Sequence, residues 1–266
     1  MSFFDKFPAM ERTDLRDLKK GIDSSFKEFS RSWGESIEAF FDPLFYFLVN
    51  FEKLLLGTPW PLIIGIVAGL SYLGSRSWKL SVGAAVSFLL IGYLGMWNNT
   101  MSTVALISVA TFICIALGIP IGVAMSKSDR LQAMITPILD IMQTIPIFVY
   151  LLPVVMLLGI GKVPGLIAVC VYAMPPIVRL TNLGLRLVDK EILEAADAFG
   201  SNYQQRLFKV QLPLALPNIF AGVNQTIMMA LAMVVIASMI GVKGLGVPVL
   251  QSIPVSYTHL TLPTTD

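Results

Sequence analysis

Long apolar runs separated by short polar stretches occupy most of the chain from residue 60 onward. Each of six runs approaches the roughly 20 residues that a helix needs to cross about 30 Å of hydrocarbon. The runs are 60–75, 80–97, 101–125, 133–160, 164–178 and 217–242. Backbone amides in lipid must be paired within their own segment, so these runs predict membrane-spanning helices. The predicted fold class is therefore an all-α integral membrane protein, built as a polytopic helical bundle.

The first 56 residues are polar or amphipathic rather than continuously apolar. Phe26, Phe29 and Trp33 are spaced i, i+3 and i+7 and share one face of a helix. This spacing predicts an amphipathic N-terminal helix at the membrane interface, with a partner-binding helix as the alternative. Residues 39–56 are apolar but contain four residues that disfavour a clean span, so an interfacial or re-entrant segment fits better. Those four are Asp42, Pro43, Glu52 and Lys53.

Composition agrees with a membrane location and excludes several function classes. Of the 266 residues, 55% are hydrophobic and 14% are charged, whereas soluble domains carry about 25% charged residues. The net charge of +2 gives no indication of a nucleic-acid partner. Cys114 and Cys170 lie within apolar runs and are predicted to be small buried hydrophobic residues. The single histidine, His259, leaves no cluster of metal ligands and no catalytic constellation.

The distribution of lysine and arginine predicts the orientation in the membrane, because short cytoplasmic loops carry the excess of basic residues. Numbering the loops alternately from 76–79 places nine basic residues on one side and two on the other. The nine are Arg76, Lys79, Lys127, Arg130, Arg179, Arg186, Lys190, Arg206 and Lys209; the two are Lys162 and Lys243. The polar loop 179–217 is therefore predicted to be cytoplasmic, and the N-terminus to lie outside.

Within this loop the sequence predicts two short helices. Ile192, Leu193, Ala195, Ala196 and Phe199 form one apolar face. Asp189 and Glu191 lie near the start of this helix, where negative charge suits the helix dipole, and Gly200 lies where a left-handed C-terminal cap is expected. Ser201 is predicted to cap a second helix that ends at Pro213. The apolar face could pack on the protein's own bundle or enter a groove on a partner; a DNA-binding helix-turn-helix is a poorer fit, because two spans tether it.

The residues Glu194-Ala195-Ala196, followed by three residues, Gly200, nine residues and Val210-Gln211-Leu212-Pro213, resemble the EAA loop of ABC importer permeases. That family's pattern is EAA-x3-G-x9-I-x-LP, and only Val210 departs from it. The resemblance implies the fold of a type I ABC importer permease. It also implies that the loop docks in a cleft of a separate ATPase, through Glu194, Ala195, Ala196, Gly200, Val210, Leu212 and Pro213.

Further stretches resemble the glycine betaine/proline permease branch of the family: 139–165, 174–184, 207–241 and 244–246. This resemblance implies a bacterial inner-membrane importer for a small quaternary amine, working as a homodimer with an ABC ATPase and a periplasmic or lipid-anchored substrate-binding protein. Choline, carnitine or proline are alternative substrates, and an ATP-independent membrane scaffold is the alternative of a different class. The chain has no G-x-x-x-x-G-K-[ST] motif, so we expect no cofactor in this chain, with ATP and Mg²⁺ bound by the ATPase.

The run 133–160 contains three prolines and the one acid within a predicted span, Asp140. A charge in a span is costly and suggests function by default, although an acid near the interface is the alternative. Carbonyls freed by proline are tolerated where they line a cavity. We therefore predict that 140–153 borders the translocation path. The candidate pathway residues are Asp140, Gln143, Thr144, Pro146 and Tyr150.

The remaining expectations concern packing and the C-terminus. The pairs Gly65/Gly69 and Gly118/Gly122 have the small-xxx-small spacing of closely packed membrane helices. The tail 256–266 lacks the further span with which the family continues, and it resembles translated adapter sequence. We therefore expect a permease domain at 57–255, preceded by the N-terminal segment 1–56 and followed by a non-native tail.

Overall fold

The computed structural model of the chain describes the backbone of residues 12–260 and the side chains of residues 12–253. This part of the chain is helical, with no strand. The helices are α1 (Arg12–Gly57), α2 (Trp60–Ser75), α3 (Trp78–Tyr93), α4 (Trp97–Lys127), α5 (Asp129–Thr144), α6 (Ile147–Leu158), α7 (Lys162–Arg186), α8 (Lys190–Ala198), α9 (Tyr203–Gln205), α10 (Leu212–Met239) and α11 (Gly246–Leu260). A π-helical turn, Arg206–Gln211, joins α9 to α10.

The chain forms two compact units, with the boundary between Pro43 and Leu44. In the first unit, residues 12–43 are helical, as the spacing of Phe26, Phe29 and Trp33 predicts. Phe29 and Trp33 are exposed there, which leaves an uncovered apolar face. The location of this helix at a membrane interface stays a prediction.

The core of the second unit is formed by α4, α7 and α10. These are also the helices that are long and apolar enough to cross a membrane, with the third measured from Tyr203 to Met239. Within the described residues the number of candidate spans rises to five if the bent pairs α1–α2 and α5–α6 each count as one. The six predicted spans are therefore not all reproduced. The helices α2 and α3 have 16 residues each and reach only about 24 Å at 1.5 Å per residue.

Two glycines of α4 allow close approach to α7, as predicted from their spacing. A Cβ added at Gly118 would lie 2.5 Å from Cγ2 of Ile177, and one added at Gly122 would lie 2.6 Å from Cβ of Thr181. The same prediction for Gly65 and Gly69 is wrong within this chain, because no atom of another element lies within 4 Å of either position. Spacing alone does not distinguish a packed glycine face from an uncovered one.

The two cysteines lie in the α4–α7 interface and are buried and unpaired by a disulfide, as predicted. The thiol of Cys114 donates a weak hydrogen bond to the carbonyl of Cys170, with 3.6 Å between sulfur and oxygen. The thiol of Cys170 points to the carbonyl of Ala110 at 3.8 Å. Both side chains therefore act as small packing groups between the two helices.

The predicted span 133–160 is two helices, α5 and α6, bent by 88° at Ile145–Pro146. A proline disfavours helical geometry in the residue before it. Ile145 is accordingly extended, with φ −70° and ψ 133°. Pro146 then occupies the position just before α6. Pro137 and Pro153 lie inside the helices and do not end them. Only one of the three prolines therefore breaks the run.

We predict that Gly122→Ala destabilises the protein, whereas Gly69→Ala does not. The added Cβ at position 122 would meet the backbone carbonyl of Val178 at 2.8 Å, a contact that no side-chain rotation relieves. Overpacking of this kind costs about 1–3 kcal/mol, whereas replacing an unpacked helical glycine gains roughly 0.5–1 kcal/mol. The thermal unfolding midpoint in detergent measures both. Equal midpoints for the two variants would contradict the close α4–α7 contact.

Candidate functional site

The polar interruption between the last two core helices is shorter than the predicted loop 179–217. The helix α7 continues to Arg186, and helical structure resumes at Tyr203. Asn202, rather than Ser201, begins the second helix: its side chain accepts the amide of Gln205, whose side chain accepts the amide of Asn202. The interruption is thus residues 187–202, which we name the α8 segment.

Pro213 does not end the second helix, in contrast to the sequence prediction. It lies just after the π-helical turn, inside helical structure that continues from Tyr203 to Met239. The π-helical turn precedes it, and the amide of Leu212 donates to the carbonyl of Leu207, five residues back. Turns of this type are rare and occur often at functional sites. The α8 segment is therefore attached to α10 through continuous helix.

The ends of α8 are fixed by hydrogen bonds that the sequence predicts in part. The carboxylate of Asp189 accepts the amide of Glu191 at 3.0 Å and caps the start of the helix. At the other end Gly200 has φ +76°. The amides of Gly200 and Ser201 donate to the carbonyls of Asp197 and Ala196 at 2.9 and 3.1 Å. This is a Schellman motif, and it confirms the left-handed cap expected at Gly200.

An ion pair fixes the position of α8 against the following turn. Nη1 of Arg206 lies 2.6 Å from Oδ2 of Asp197. Because Asp197 is next to the last residue of α8 and Arg206 opens the π-helical turn, the pair closes the bend at Gly200. The α8 segment therefore has a defined shape rather than that of an open loop.

The apolar face of α8 is covered only in part by the rest of the described chain. No residue of α8 is buried, and the Phe199 side chain is 93% exposed. Ile192 and Phe208 nearby are also exposed. Leu193 and Ala196 of this face are half-buried, so part of it packs on the protein itself while Ile192 and Phe199 stay exposed. Grouped exposed apolar side chains of this kind mark interaction sites.

The predicted docking residues fall into two groups. Glu194, Ala195 and Gly200 are exposed on α8 and its cap, with Ala196 half-buried beside them. Val210 is half-buried in the π-helical turn, Leu212 packs against the hydrophobic core, and Pro213 is exposed at the start of α10. The first group lies on α8 and its cap, the same short element that carries the exposed Ile192 and Phe199. Leu212 instead attaches this element to the bundle, and sequence spacing alone does not separate these two roles.

The candidate pathway residues lie around the bend between α5 and α6. Oδ1 of Asp140 lies 2.5 Å from Nη2 of Arg179 on α7, and both side chains are about half exposed. Gln143 approaches the sulfur of Met229 on α10 at 3.4 Å, and the hydroxyl of Thr144 donates to the carbonyl of Asp140. The sequence indicates Asp140 but not its partner. The available signal is that Arg179 is a base at the end of the next predicted span.

Pro146 begins α6, and Tyr150 lies one helical turn further on. The hydroxyl of Tyr150 is buried and has no hydrogen-bond partner among the described residues. Tyr150 is packed against the core through its ring, which holds the hydroxyl in place.

A polar cavity that the sequence does not predict lies at the start of α7, at the end of this helix away from the α8 segment. Glu52 is buried, forms an ion pair with Lys162 and accepts a hydrogen bond from Ser102 at 2.8 Å. The cavity has a volume of about 400 Å³, and Lys243 also lines it. Glu52, one of the charged residues that disfavour a clean span at 39–56, therefore has a specific partner 110 residues away.

A helical membrane bundle that presents a capped, uncovered helix of the EAA type defines the permease class of transport proteins. Residues 114–261 match the family of binding-protein-dependent transport system inner membrane components, and the chain belongs to this family. This match includes the first residues of the 256–266 tail. The residues beyond 260 lie outside the described part of the chain.

Several curated relatives are similar over most of the chain. The glycine betaine/proline betaine transport system permease protein ProW of Escherichia coli is 49% identical over 216 residues, which are 79% of this chain and 59% of that protein. The glycine betaine transport system permease protein OpuAB of Bacillus subtilis is 47% identical over 203 residues, 71% of this chain and 72% of that protein. The chain thus spans about three-fifths of the length of the first of these.

The architecture is also similar to a solved structure. The crystal structure of an amino acid ABC transporter with histidines aligns with a TM-score of 0.50 and 22% identity, covering 62% of this chain and 82% of that one. This similarity establishes the fold alone, and it agrees with the predicted type I importer permease bundle.

We predict that Gly200→Val opens the C-terminal end of α8, whereas Gly200→Asn is nearly neutral. No atom lies within 4 Å of a Cβ at this position. Any difference between the two variants therefore arises from backbone conformation and not from a steric clash. A left-handed conformation costs a residue with a Cβ about 1–2 kcal/mol, and asparagine tolerates it best. Hydrogen exchange at the amides of residues 200 and 201 should accelerate about 5–30-fold in the valine variant. Unchanged protection in that variant would refute the cap.

We also predict that Lys162→Met is strongly destabilising and that adding Glu52→Gln restores most of the loss. The single change leaves a buried carboxylate without its counter-charge, which costs about 3 kcal/mol. The second change removes that charge, while the introduced amide still accepts the hydrogen bond from Ser102. Denaturant unfolding in detergent compares the three proteins. A single variant as stable as the unmodified protein would exclude a structural role for the pair.

Proposed function

We propose that the chain is the transmembrane permease subunit of an ATP-driven importer for glycine betaine/proline-type osmoprotectants. The observation that carries the proposal is the α8 segment, a helix capped at both ends between two core helices, whose Ile192, Glu194, Ala195 and Phe199 side chains are exposed. The named functions of the 49% and 47% identical relatives support the substrate class. The subunit itself is non-catalytic.

The partner for the α8 segment is an ABC ATPase that binds ATP and Mg²⁺. Glu194 offers a charged contact, while Ala195 and Ala196 allow close approach. Phe199 adds an exposed apolar anchor; buried aromatic side chains of this kind dominate the energetics of protein interfaces. Closure of two ATPases on ATP would pull two such segments together and shift the permease between its inward- and outward-facing states.

The translocation path is proposed to run beside the bend at Pro146. Asp140, Thr144 and Pro146 lie on the exposed side of the single bundle, so a path bordered by 140–153 needs a second wall. A second copy of the permease would provide it, which supports the homodimer. A separate periplasmic or lipid-anchored binding protein would then deliver the small quaternary amine, and no nucleic acid takes part.

The proposed location is the bacterial cytoplasmic membrane, with the α8 segment in the cytoplasm and the N-terminus outside. The excess of basic residues on the α8 side supports this orientation. Carnitine or choline are the alternative substrates, because relatives named for glycine betaine/carnitine and for choline transport are 48% and 35% identical. An ATP-independent scaffold remains the alternative class, and the same experiment excludes it.

We predict that Glu194→Lys weakens the complex with the ABC ATPase subunit of the importer and lowers ATP-dependent uptake of labelled glycine betaine. A repulsive charge in an interface costs several kcal/mol, so co-purified ATPase should fall by about tenfold or more. Glu28→Lys, an exposed change of the same charge in α1, is the matched control and should have no effect. Undiminished complex and uptake in Glu194→Lys would overturn the docking proposal. Uptake of choline or carnitine in preference to betaine would change only the substrate.

A further inference from the structure

We propose that the turn between α4 and α5, residues 126–130, transmits movement of the α8 segment to the bent helix pair α5–α6. The positioning residues are Arg186, Lys127 and Asp129. This inference rests on the proposed function, since it assigns a route by which ATPase movement reaches the pathway. It depends on contacts at both ends of the α8 segment.

Arg186, the last residue of α7, holds the turn from the side where the α8 segment begins. Its Nη1 lies 2.6 Å from Oδ1 of Asp129, and its Nη2 donates to the carbonyl of Met125 at 3.0 Å. Its Nε donates to the side chain of Asn182 on α7 at 3.0 Å. Because all three guanidinium nitrogens have partners, the planar group is fixed in orientation and connects α4, α5 and α7.

Tyr203 holds the same turn from the side where the α8 segment ends. The ammonium nitrogen of Lys127 lies 4.5 Å from the centroid of the Tyr203 ring, a cation–π contact. Tyr203 is the first residue of α9, and the Arg206–Asp197 ion pair attaches this region to α8. The two residues that flank the α8 segment, Arg186 and Tyr203, therefore both contact one short turn, although Asp129 lies 57 residues before Arg186 in the chain.

The turn joins α4 to α5 directly, because only Ser128 lies between the two helices. Ser128 separates the two contact residues, and its hydroxyl accepts the amide of Leu131 at 3.4 Å, which caps the start of α5. Asp129 is the first residue of α5. A displacement of the turn is thus applied directly to the end of this helix rather than absorbed in a flexible loop.

A second contact keeps α5 aligned with α7 closer to the bend. Asp140 pairs with Arg179, and residues 129 and 140 are about 16 Å apart along a helix with a 1.5 Å rise per residue. The helix α5 therefore contacts α7 at two positions along its length. Its far end carries Thr144 and the bend at Pro146, so movement of the turn reaches the candidate pathway residues.

Stability alone does not account for the Arg186–Asp129 pair. The Asp129 side chain is 89% exposed and that of Arg186 is 32% exposed, and ion pairs at such exposure contribute little to the free energy of folding. The turn also contains none of the exposed docking residues of α8. Loss of these contacts should therefore spare both folding and ATPase binding and affect the coupling between them.

The test uses the permease–ATPase complex in proteoliposomes supplied with the cognate binding protein and glycine betaine. The variant Lys127→Ala/Asp129→Asn removes the cation–π contact and the ion pair, and the single variant Lys127→Arg keeps both. Arg130→Ala is the matched control, since Arg130 lies in the same turn and has no ion pair among the described residues. The readouts are co-purified ATPase, ATP hydrolysis and betaine imported per ATP hydrolysed.

We expect the double variant to retain its ATPase to within about twofold and to continue hydrolysis, while betaine imported per ATP falls about tenfold, within the usual range of coupling free energies. Lys127→Arg and Arg130→Ala should match the unmodified protein. An unchanged import ratio in the double variant would overturn the inference and leave the proposed function intact, and so would loss of the ATPase, because the turn would then belong to the docking surface. An unmodified complex without ATP-dependent import would refute the proposed function, and the inference with it.

Discussion

Close contact between α4 and α7 is the constraint on which the rest of the bundle depends. Lipid supplies no hydrophobic driving force between helices, so association relies on the fit of their surfaces. Gly118 and Gly122 let the two backbones approach until side chains of α7 occupy the space of the missing Cβ atoms. Gly222 does the same for α10 against α7, because an added Cβ would lie 3.2 Å from Cα of Ile177. α7 is consequently enclosed by its neighbours and has little freedom to move alone.

The helix α7 contacts a functional feature at each of its ends. Arg186 at one end orders the α4–α5 turn, while Lys162 at the other end neutralises the buried Glu52. Arg179, between them, meets Asp140 at the bend. The charged groups that are costly in a membrane protein are thus placed along one helix, each opposite a partner from another element.

Local signals in the sequence are enough to predict features governed by local chemistry. The acidic start of α8, its amphipathic spacing and the left-handed Gly200 all depend on residues within about one turn, and the sequence predicts them. The predicted boundaries are less accurate: Pro213 is expected to end a helix, yet a π-helical turn allows the helix to pass through it. Likewise Pro146 breaks its run whereas Pro137 and Pro153 do not, because tertiary packing decides which prolines interrupt a helix.

Features governed by distant pairs are not accessible from one sequence. Asp140 is recognisable as costly, but its partner Arg179 is 39 residues away, and nothing local selects it. The Glu52–Lys162 pair spans 110 residues, and in the sequence Glu52 is only an interruption of an apolar run. Gly65/Gly69 and Gly118/Gly122 have identical spacing, and only the presence of a neighbour separates a packing face from an open one.

The π-helical turn at 206–211 also sets the direction in which α8 faces. A π turn accommodates one residue more than an α-helix of the same length, and each residue rotates a helix by about 100°. The single surplus residue therefore fixes the rotational phase between α10, which is locked in the core, and everything that precedes the turn. Deletion of one residue there would turn the exposed Phe199 and Glu194 surface around the helix axis without altering a side chain of it. The π-helical turn therefore sets the direction in which this surface faces, and the residues of α8 set its chemistry. A change in one does not require a change in the other.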